Sequence, residues 1–191
     1  MKTQIWAHRG ASAYAPENTL EAFRLAAEMG ADGVELDVQL SRDGELVVAH
    51  DETIDRVSNG TGYIKDYTLA QLKELSFNRL FPAFKDARIP TLKEVYELLK
   101  PGGLTVNVEL KTGIILYPEI EEKVLALTAS MGMEDSVIYS SFCHPSLVRL
   151  KELDSGLKTG LLYSDGWIDA AAYGRHTVGV DALHPALYHM Q

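Results

Sequence analysis

The stretch Gly33-Val34-Glu35-Leu36-Asp37-Val38-Gln39-Leu40 decides how the rest of this sequence is read. Side chains of an extended strand alternate between its two faces, so Glu35 and Asp37 share one face while Val34, Leu36 and Val38 take the other. A second stretch, Val106-Asn107-Val108-Glu109-Leu110-Lys111, has the same form and gathers Asn107, Glu109 and Lys111 on one face. An isolated strand of this kind is ordinarily the half-wet strand of an antiparallel sheet. Here the pattern recurs: an earlier run ends in His8-Arg9-Gly10 and another in Ala49-His50-Asp51, so four consecutive strand-like runs deliver ionisable groups near their C-terminal ends.

Working outward, strand-like and amphipathic runs alternate along the chain, the order expected of parallel strands joined by helical crossovers. Strands are expected at Ile5 to Arg9, Gly33 to Leu40, Glu45 to His50, Leu104 to Lys111, Ser136 to Phe142, Thr159 to Tyr163 and Val178 to Leu183. Helices are expected after Pro16-Glu17-Asn18-Thr19, where Asn18 can cap and Glu21 sits at the capping-box position, and at 92–100, 119–131 and 146–153. Thr91 and Glu94 form a second capping box. Residues 51–88 break the rhythm: they are polar, Gly-rich around Ser58-Asn59-Gly60-Thr61-Gly62, and carry one short helix from Thr68 with Gln71 at the box position. That segment reads as an insertion or lid, with Asn59-Gly60-Thr61-Gly62 as a flexible turn that lacks the Lys-Ser/Thr of a nucleotide loop.

The fold class expected is α/β, a TIM-type (β/α) barrel formed by one domain over 1–191 with 51–88 inserted after the third strand. Eight-stranded barrels typically take about 250 residues, whereas this sequence has 191. An open barrel leaves unpaired edges, so a C-terminal strand and helix are expected to be lacking from it.

Composition narrows the function. Eighteen Lys and Arg against 27 Asp and Glu give a net charge of -9, which disfavours a nucleic-acid or anionic-membrane footprint. The single cysteine, Cys143, excludes an intrachain disulfide framework and a thiolate-rich zinc site, and fits a reducing compartment. No apolar run reaches the roughly 18 to 20 residues of a membrane span, and the start lacks a secretory stretch, so a cytoplasmic protein is expected.

Three carboxylates, two histidines, an Arg and a Lys at strand ends would repel or lie unpaired if buried without purpose, and a bound cation with an anionic substrate reconciles them. Glu35, Asp37 and Glu109 offer hard oxygens suited to Mg²⁺ or Ca²⁺, while Arg9 and Lys111 suit phosphate. With imidazole ligands added, manganese, iron or zinc are alternatives. Cys143 beside His144 is read as a packed or rim residue rather than a nucleophile. Phe142, Tyr163 and Trp167 are candidates for the pocket wall, and His184 for the barrel mouth.

These motifs together resemble the glycerophosphodiester phosphodiesterases. The resemblance rests on His8-Arg9-Gly10, Pro16-Glu17-Asn18-Thr19, Val34-Glu35-Leu36-Asp37-Val38, His50-Asp51, Ile89-Pro90-Thr91-Leu92 and Val108-Glu109-Leu110-Lys111, in the family's order. It runs to Leu183-His184-Pro185, which is similar to the family's seventh strand. It implies metal ligands at Glu35, Asp37 and Glu109, an acid/base pair at His8 and His50, and phosphodiester binding by Arg9 and Lys111; Phe142 and His184 are added as substrate-binding candidates from their strand-end positions alone. The implied reaction is hydrolysis of a glycerophosphodiester to sn-glycerol 3-phosphate and an alcohol through a cyclic phosphate. A lysophospholipid-acting phospholipase D-like or cyclising lyase, and a noncatalytic module for a metal or polyol phosphate, are the alternatives.

Overall fold

The computed structural model describes residues 3–186. Their strands are β1 (Trp6–His8), β2 (Gly33–Leu40), β3 (Leu46–Val48), β4 (Thr105–Leu110), β5 (Val137–Ser141), β6 (Thr159–Tyr163) and β7 (Ala182–Pro185). The main helices are α1 (Leu20–Glu28), α2 (Leu69–Glu74), α3 (Leu92–Leu99), α4 (Ile120–Ser130) and α5 (His144–Leu153), followed by a short α6 (Ala170–Ala172). Hydrogen-bonded neighbours run in the order β1-β2-β4-β5-β6-β7, all in parallel, while β3 pairs with β2 off this path and bridges to Thr91 through Val47. This is the sheet of a TIM-type barrel with its helical crossovers.

Two expectations about strands need correction. The run Glu45–His50 does not form a barrel strand of its own: β3 is antiparallel to β2, with Leu40 opposite Leu46 and Val38 opposite Val48. The connection through Arg42-Asp43-Gly44 is a tight turn, and a parallel partner would have needed a crossover of a dozen or more residues. The strand carrying His184 is therefore the sixth parallel strand along the sheet rather than the seventh. It also starts later than expected, because Tyr173–Val178 is wound as a π-helical turn closed by Gly179, and Ala182 begins the strand.

The outer face of the parallel strands supplies the main core. Val34, Leu36, Val38, Val106, Val108, Leu110, Tyr139 and Leu161 are buried there against Phe23 and Ala26 of α1, Val95 and Leu99 of α3, Val124 of α4 and Leu150 of α5. The alternate positions turn inward. Register places His8 beside Glu35 and Glu35 beside Asn107, and one layer further along, Asp37 beside Glu109, Glu109 beside Ser140 and Ser140 beside Gly160. Apolar packing outside thus fixes which polar groups converge inside.

Capping decides where the crossovers begin. Thr91 and Thr68 each close the reciprocal box expected of them, with Glu94 and Gln71. At α1 the cap is Thr19, whose Oγ1 accepts from the Ala22 N–H at 3.3 Å, and neither Asn18 nor Glu21 caps it. Asn18 has a positive φ of 56°, which turns its side chain away from the helix.

The segment after β3 packs on a second small cluster, Val47, Ala49, Ile54, Ile64, Leu72, Phe77 and Ile89. Its glycine-rich turn is tied down: Asn59 Oδ1 accepts from the Ser76 N–H at 2.9 Å, and the Gly62 N–H donates to Asp55 Oδ2 at 2.8 Å.

The turn that ends β1 requires left-handed backbone at Arg9 (φ 59°) and Gly10 (φ 78°). A Cβ at Gly10 would lie 2.7 Å from the carbonyl carbon of Ala22. Gly10→Ala is therefore expected to cost about 1–3 kcal/mol in urea denaturation, because strain and the close backbone approach act together.

Candidate active site

The inward layers bring Glu35, Asp37 and Glu109 together so that a carboxylate oxygen from each lies within 4.8 Å of the others. All three side chains are nearly inaccessible to solvent. The protein orients one oxygen on two of them and leaves the other bare. Glu35 Oε2 accepts the Arg9 N–H at 3.0 Å and Asp37 Oδ2 accepts Asn18 Nδ2–H at 2.8 Å, whereas Glu35 Oε1 and Asp37 Oδ1 are buried without a hydrogen-bond partner. Asn107 Oδ1, in the same layer as Glu35, is likewise unpartnered. Buried bare oxygens converging from adjacent strands are what a hard cation needs, so the residues fit a metal site.

Electrostatics give the same answer. Burial, reinforced by repulsion from Asp37 and Glu109, pushes the Glu35 carboxyl well above the usual range. Burial and Asp37 push Glu109 up as well, partly offset by Lys111, which donates to Glu109 Oε1 at 2.9 Å. Lys111 Nζ also lies 3.7 Å from Asp37 Oδ1.

Around this acidic centre stand the bases and cations read from the sequence. His8 Nε2 is 3.7 Å from Glu35 Oε2, and burial together with the neighbouring Arg9 guanidinium holds this imidazole below its ordinary pKa. Arg9 reaches Asp37 Oδ2 at 3.6 Å and donates from Nη1 to Glu17 Oε1 at 3.0 Å. The β2–β3 hairpin folds His50 back to the level of Asp37, since the Ala49 N–H donates to the Asp37 carbonyl at 3.0 Å. His50 is close enough to both His8 and Glu109 for its charge to influence their ionisation.

His50 is held from behind. Its Nδ1 lies 2.6 Å from Asp51 Oδ1. Burial works against ionisation of Asp51, but hydrogen bonds from Arg56 and His50 outweigh it and bring its pKa down to about 2. A carboxylate only accepts, so the proton between them sits on Nδ1 and Nε2 is left for chemistry. Buried Gln39 gathers the loop, its Nε2 donating to the carbonyls of Ala49, His50 and Asp51 at 2.9, 3.2 and 2.7 Å while its Oε1 accepts from Tyr117.

The remaining candidates lie further out. His184 packs along the same inner face, its ring lying where a Cβ on Gly160 would be, and burial lowers its pKa. Phe142 is exposed at the end of β5. Among the described residues neither shares a hydrogen bond or ion pair with the acidic cluster. Trp167, Tyr163, Tyr173 and His144 pack on one another, with Trp167 and Tyr173 centroids 4.9 Å apart. His144 uses both ring nitrogens, toward Tyr173 Oη at 3.1 Å and the Leu162 carbonyl at 3.0 Å, so it has no free nitrogen to activate Cys143. Sequence reading assigned no role to Glu17, Gln39 or Arg56 and read Asn18 as a cap. The position of Gln39 two residues beyond Asp37 on the same strand face was the one available signal.

Fold and site define an enzyme built on a parallel barrel sheet. A family model described as the glycerophosphoryl diester phosphodiesterase family matches residues 8–190, and the chain belongs to this family. It is 51% identical over 170 residues to a glycerophosphodiester phosphodiesterase of Caldanaerobacter subterraneus subsp. tengcongensis, covering 88% of this chain and 70% of that protein. One of Bacillus altitudinis is 44% identical over 165 residues, covering 85% of this chain and 67% of the relative. Among solved structures, a glycerophosphodiester phosphodiesterase of Agrobacterium tumefaciens superposes with a TM-score of 0.84 at 33% identity, over 96% of this chain and 76% of that one. An Oleispira antarctica phosphodiesterase in complex with the product sn-glycerol-3-phosphate superposes with a TM-score of 0.83 at 32% identity, over 96% and 74%. Among the described residues, no helix is long and apolar enough to cross a membrane.

The carboxylate shifts have a definite sign. With raised native pKa values, Glu35 and Glu109 cost nothing while protonated, and destabilise the fold as pH climbs from the ordinary carboxylate range through their raised values. Asp51 acts oppositely, its contribution being present above about pH 4 and lost as pH falls toward about 2. In chelator at pH 8, Glu35→Gln is therefore expected to stabilise the protein by about 1 kcal/mol in urea denaturation, an advantage that shrinks toward pH 5.

Proposed function

We propose that this protein hydrolyses glycerophosphodiesters to sn-glycerol 3-phosphate and an alcohol, with Glu35, Asp37 and Glu109 holding a divalent cation, Mg²⁺ or Ca²⁺. The observation that carries this reading is the set of bare buried oxygens on Glu35 and Asp37, close to Glu109 and flanked by His8 and His50. A phosphodiester carries one negative charge, and Arg9 and Lys111 offer the cations to receive it beside the carboxylates. When bound, the cation supplies charge neutralisation and orientation of the glycerol hydroxyls. The product-bound Oleispira relative supports the choice of substrate class.

The chain's own residues divide the proton transfers. One imidazole of the pair takes the proton from the glycerol 2-hydroxyl as its oxygen attacks phosphorus. The other gives a proton to the departing alcohol oxygen. Water then opens the resulting cyclic phosphate, with the two histidines in exchanged roles. Burial and the Arg9 guanidinium favour the uncharged form of His8. His50 presents Nε2 because Asp51 holds Nδ1. His184 and Phe142 flank the space for the glycerol or its leaving group.

Incubated with glycerophosphocholine or another glycerophosphodiester and Mg²⁺ or Ca²⁺, the protein should release glycerol 3-phosphate, detected with a coupled dehydrogenase. His8→Ala and His50→Ala should each lower kcat by about 10²–10⁴-fold. No release from any headgroup would reject the reading, and cyclic phosphate accumulating as the sole product would assign a lyase instead. Protons compete with the cation for Glu35 and Glu109, so titration calorimetry should show tighter binding at pH 8 than at pH 5.5, and none with Glu109→Gln.

A further inference from the structure

Arg56 lies in the segment after β3, apart from the motifs quoted above, yet its guanidinium makes four hydrogen bonds to two carboxylates from different parts of the chain. Nε and Nη2 donate to Asp51 Oδ2 and Oδ1 at 2.7 and 3.1 Å, while Nη1 and Nη2 donate to Glu17 Oε2 and Oε1, each at 2.7 Å. Glu17 follows β1 and also accepts from Arg9; Asp51 follows β3 and holds His50. One planar cation thus closes a chain of contacts running His50–Asp51–Arg56–Glu17–Arg9–Asp37.

The cation has a firm base. It stands on the turn Ile54–Ser58, where the Ser58 N–H donates to the Ile54 carbonyl at 3.0 Å and Ser58 Oγ donates to it at 2.8 Å. Ile54 and Ser58 are both fully buried. Arg79 reaches the carbonyl of Asp55 in the same turn at 2.7 Å. With both faces of its fork occupied by carboxylates, Arg56 is charge-compensated and does not serve as a phosphate receiver.

We propose that Arg56 is a positioning residue: by gripping both oxygens of Asp51 it fixes the carboxylate plane that sets the tautomer and aim of His50, and through Glu17 it holds the Arg9 guanidinium in place. This rests on the acid/base role proposed for His50. The pairing is bidentate at each carboxylate, a geometry that an ammonium cannot reproduce. The guanidinium also neutralises much of the Asp51 charge that His50 would otherwise feel. His8 from β1 and Glu109 from β4 also lie within electrostatic reach of His50, and neither bonds to Arg56.

The test compares wild type with Arg56→Gln, Arg56→Lys and Arg56→Ala in the full chain. Imidazole nitrogen shifts of His50, read by NMR without substrate, should show the Nδ1–H tautomer in wild type at neutral pH. In Arg56→Gln that tautomer should be partly lost, because Asp51 is freer to turn. Under turnover, kcat should fall about 10–100-fold with a KM change below about threefold. Arg56→Lys should recover little of the loss, and added guanidinium ion should partly restore Arg56→Ala. An identical His50 tautomer in wild type and Arg56→Gln would overturn the proposal, as would full activity in Arg56→Lys. The NMR readout needs no turnover: a wild type that cleaves no diester rejects the proposed function, while the His50 spectra still decide whether Arg56 positions it.

Discussion

Three carboxylates, forced toward one another inside a sheet, are the constraint around which this structure is arranged. Asp37 and Glu109 face each other in register on adjacent parallel strands, and Glu35 stands one layer away. Left alone, such a cluster raises the pKa values of Glu35 and Glu109 and lowers stability. Every nearby cation is recruited to this problem: Lys111 lies against Glu109 and near Asp37, Arg9 lies against Asp37, and the Arg9 backbone N–H caps Glu35. None of them reaches the bare oxygens of Glu35 and Asp37 at hydrogen-bond distance. The apolar outer face makes the arrangement tolerable, since the packing of β2 and β4 against α1, α3 and α4 fixes their inward residues whatever the carboxylates prefer.

Much of this was legible in the amino-acid order. Alternation in 33–40 and 106–111 placed the acids on one face, and the strands found at Gly33–Leu40 and Thr105–Leu110 agree with that reading. The capping boxes at Thr68 and Thr91 were equally readable, because a box depends only on residues three apart. What escaped was set by tertiary pairing. Asn18 reads locally as a cap, yet positive φ sends its amide to Asp37, 19 positions along the chain. Arg56 has no local signature at all, because its partners Glu17 and Asp51 meet only after the hairpin and the loop behind β1 have folded. The π-helical turn at Tyr173–Val178 was missed because Val178 and Val180 suit a strand by propensity alone.

The direction of β3 is the most instructive of the differences. Counting it as a barrel strand gave the right number of strands with the wrong topology, even though the short turn before it already implied an antiparallel pair. Both readings nevertheless put His50 at the same level. A parallel strand would bring its C-terminal end to the rim; the hairpin instead carries the chain past the rim and back, with Ala49 bonded to the Asp37 carbonyl.

That hairpin has an architectural consequence. Asp37 and His50 sit on one continuous ribbon, joined by backbone bonds and by the Gln39 amide, so the two kinds of chemistry they represent cannot drift apart unless the ribbon itself melts. Downstream, the turn ending at Ser58 is the last backbone to which the network is bolted before the chain returns at Ile89 and Pro90, where the Pro90 carbonyl rejoins β3 at Val48. Between those two anchorages the polypeptide shares a small apolar nucleus with Val47, Ala49, Ile54 and Ile89, and its Arg79 braces the Asp55 carbonyl beneath Arg56. Substitutions in that stretch are therefore transmitted to the imidazole through its foundations.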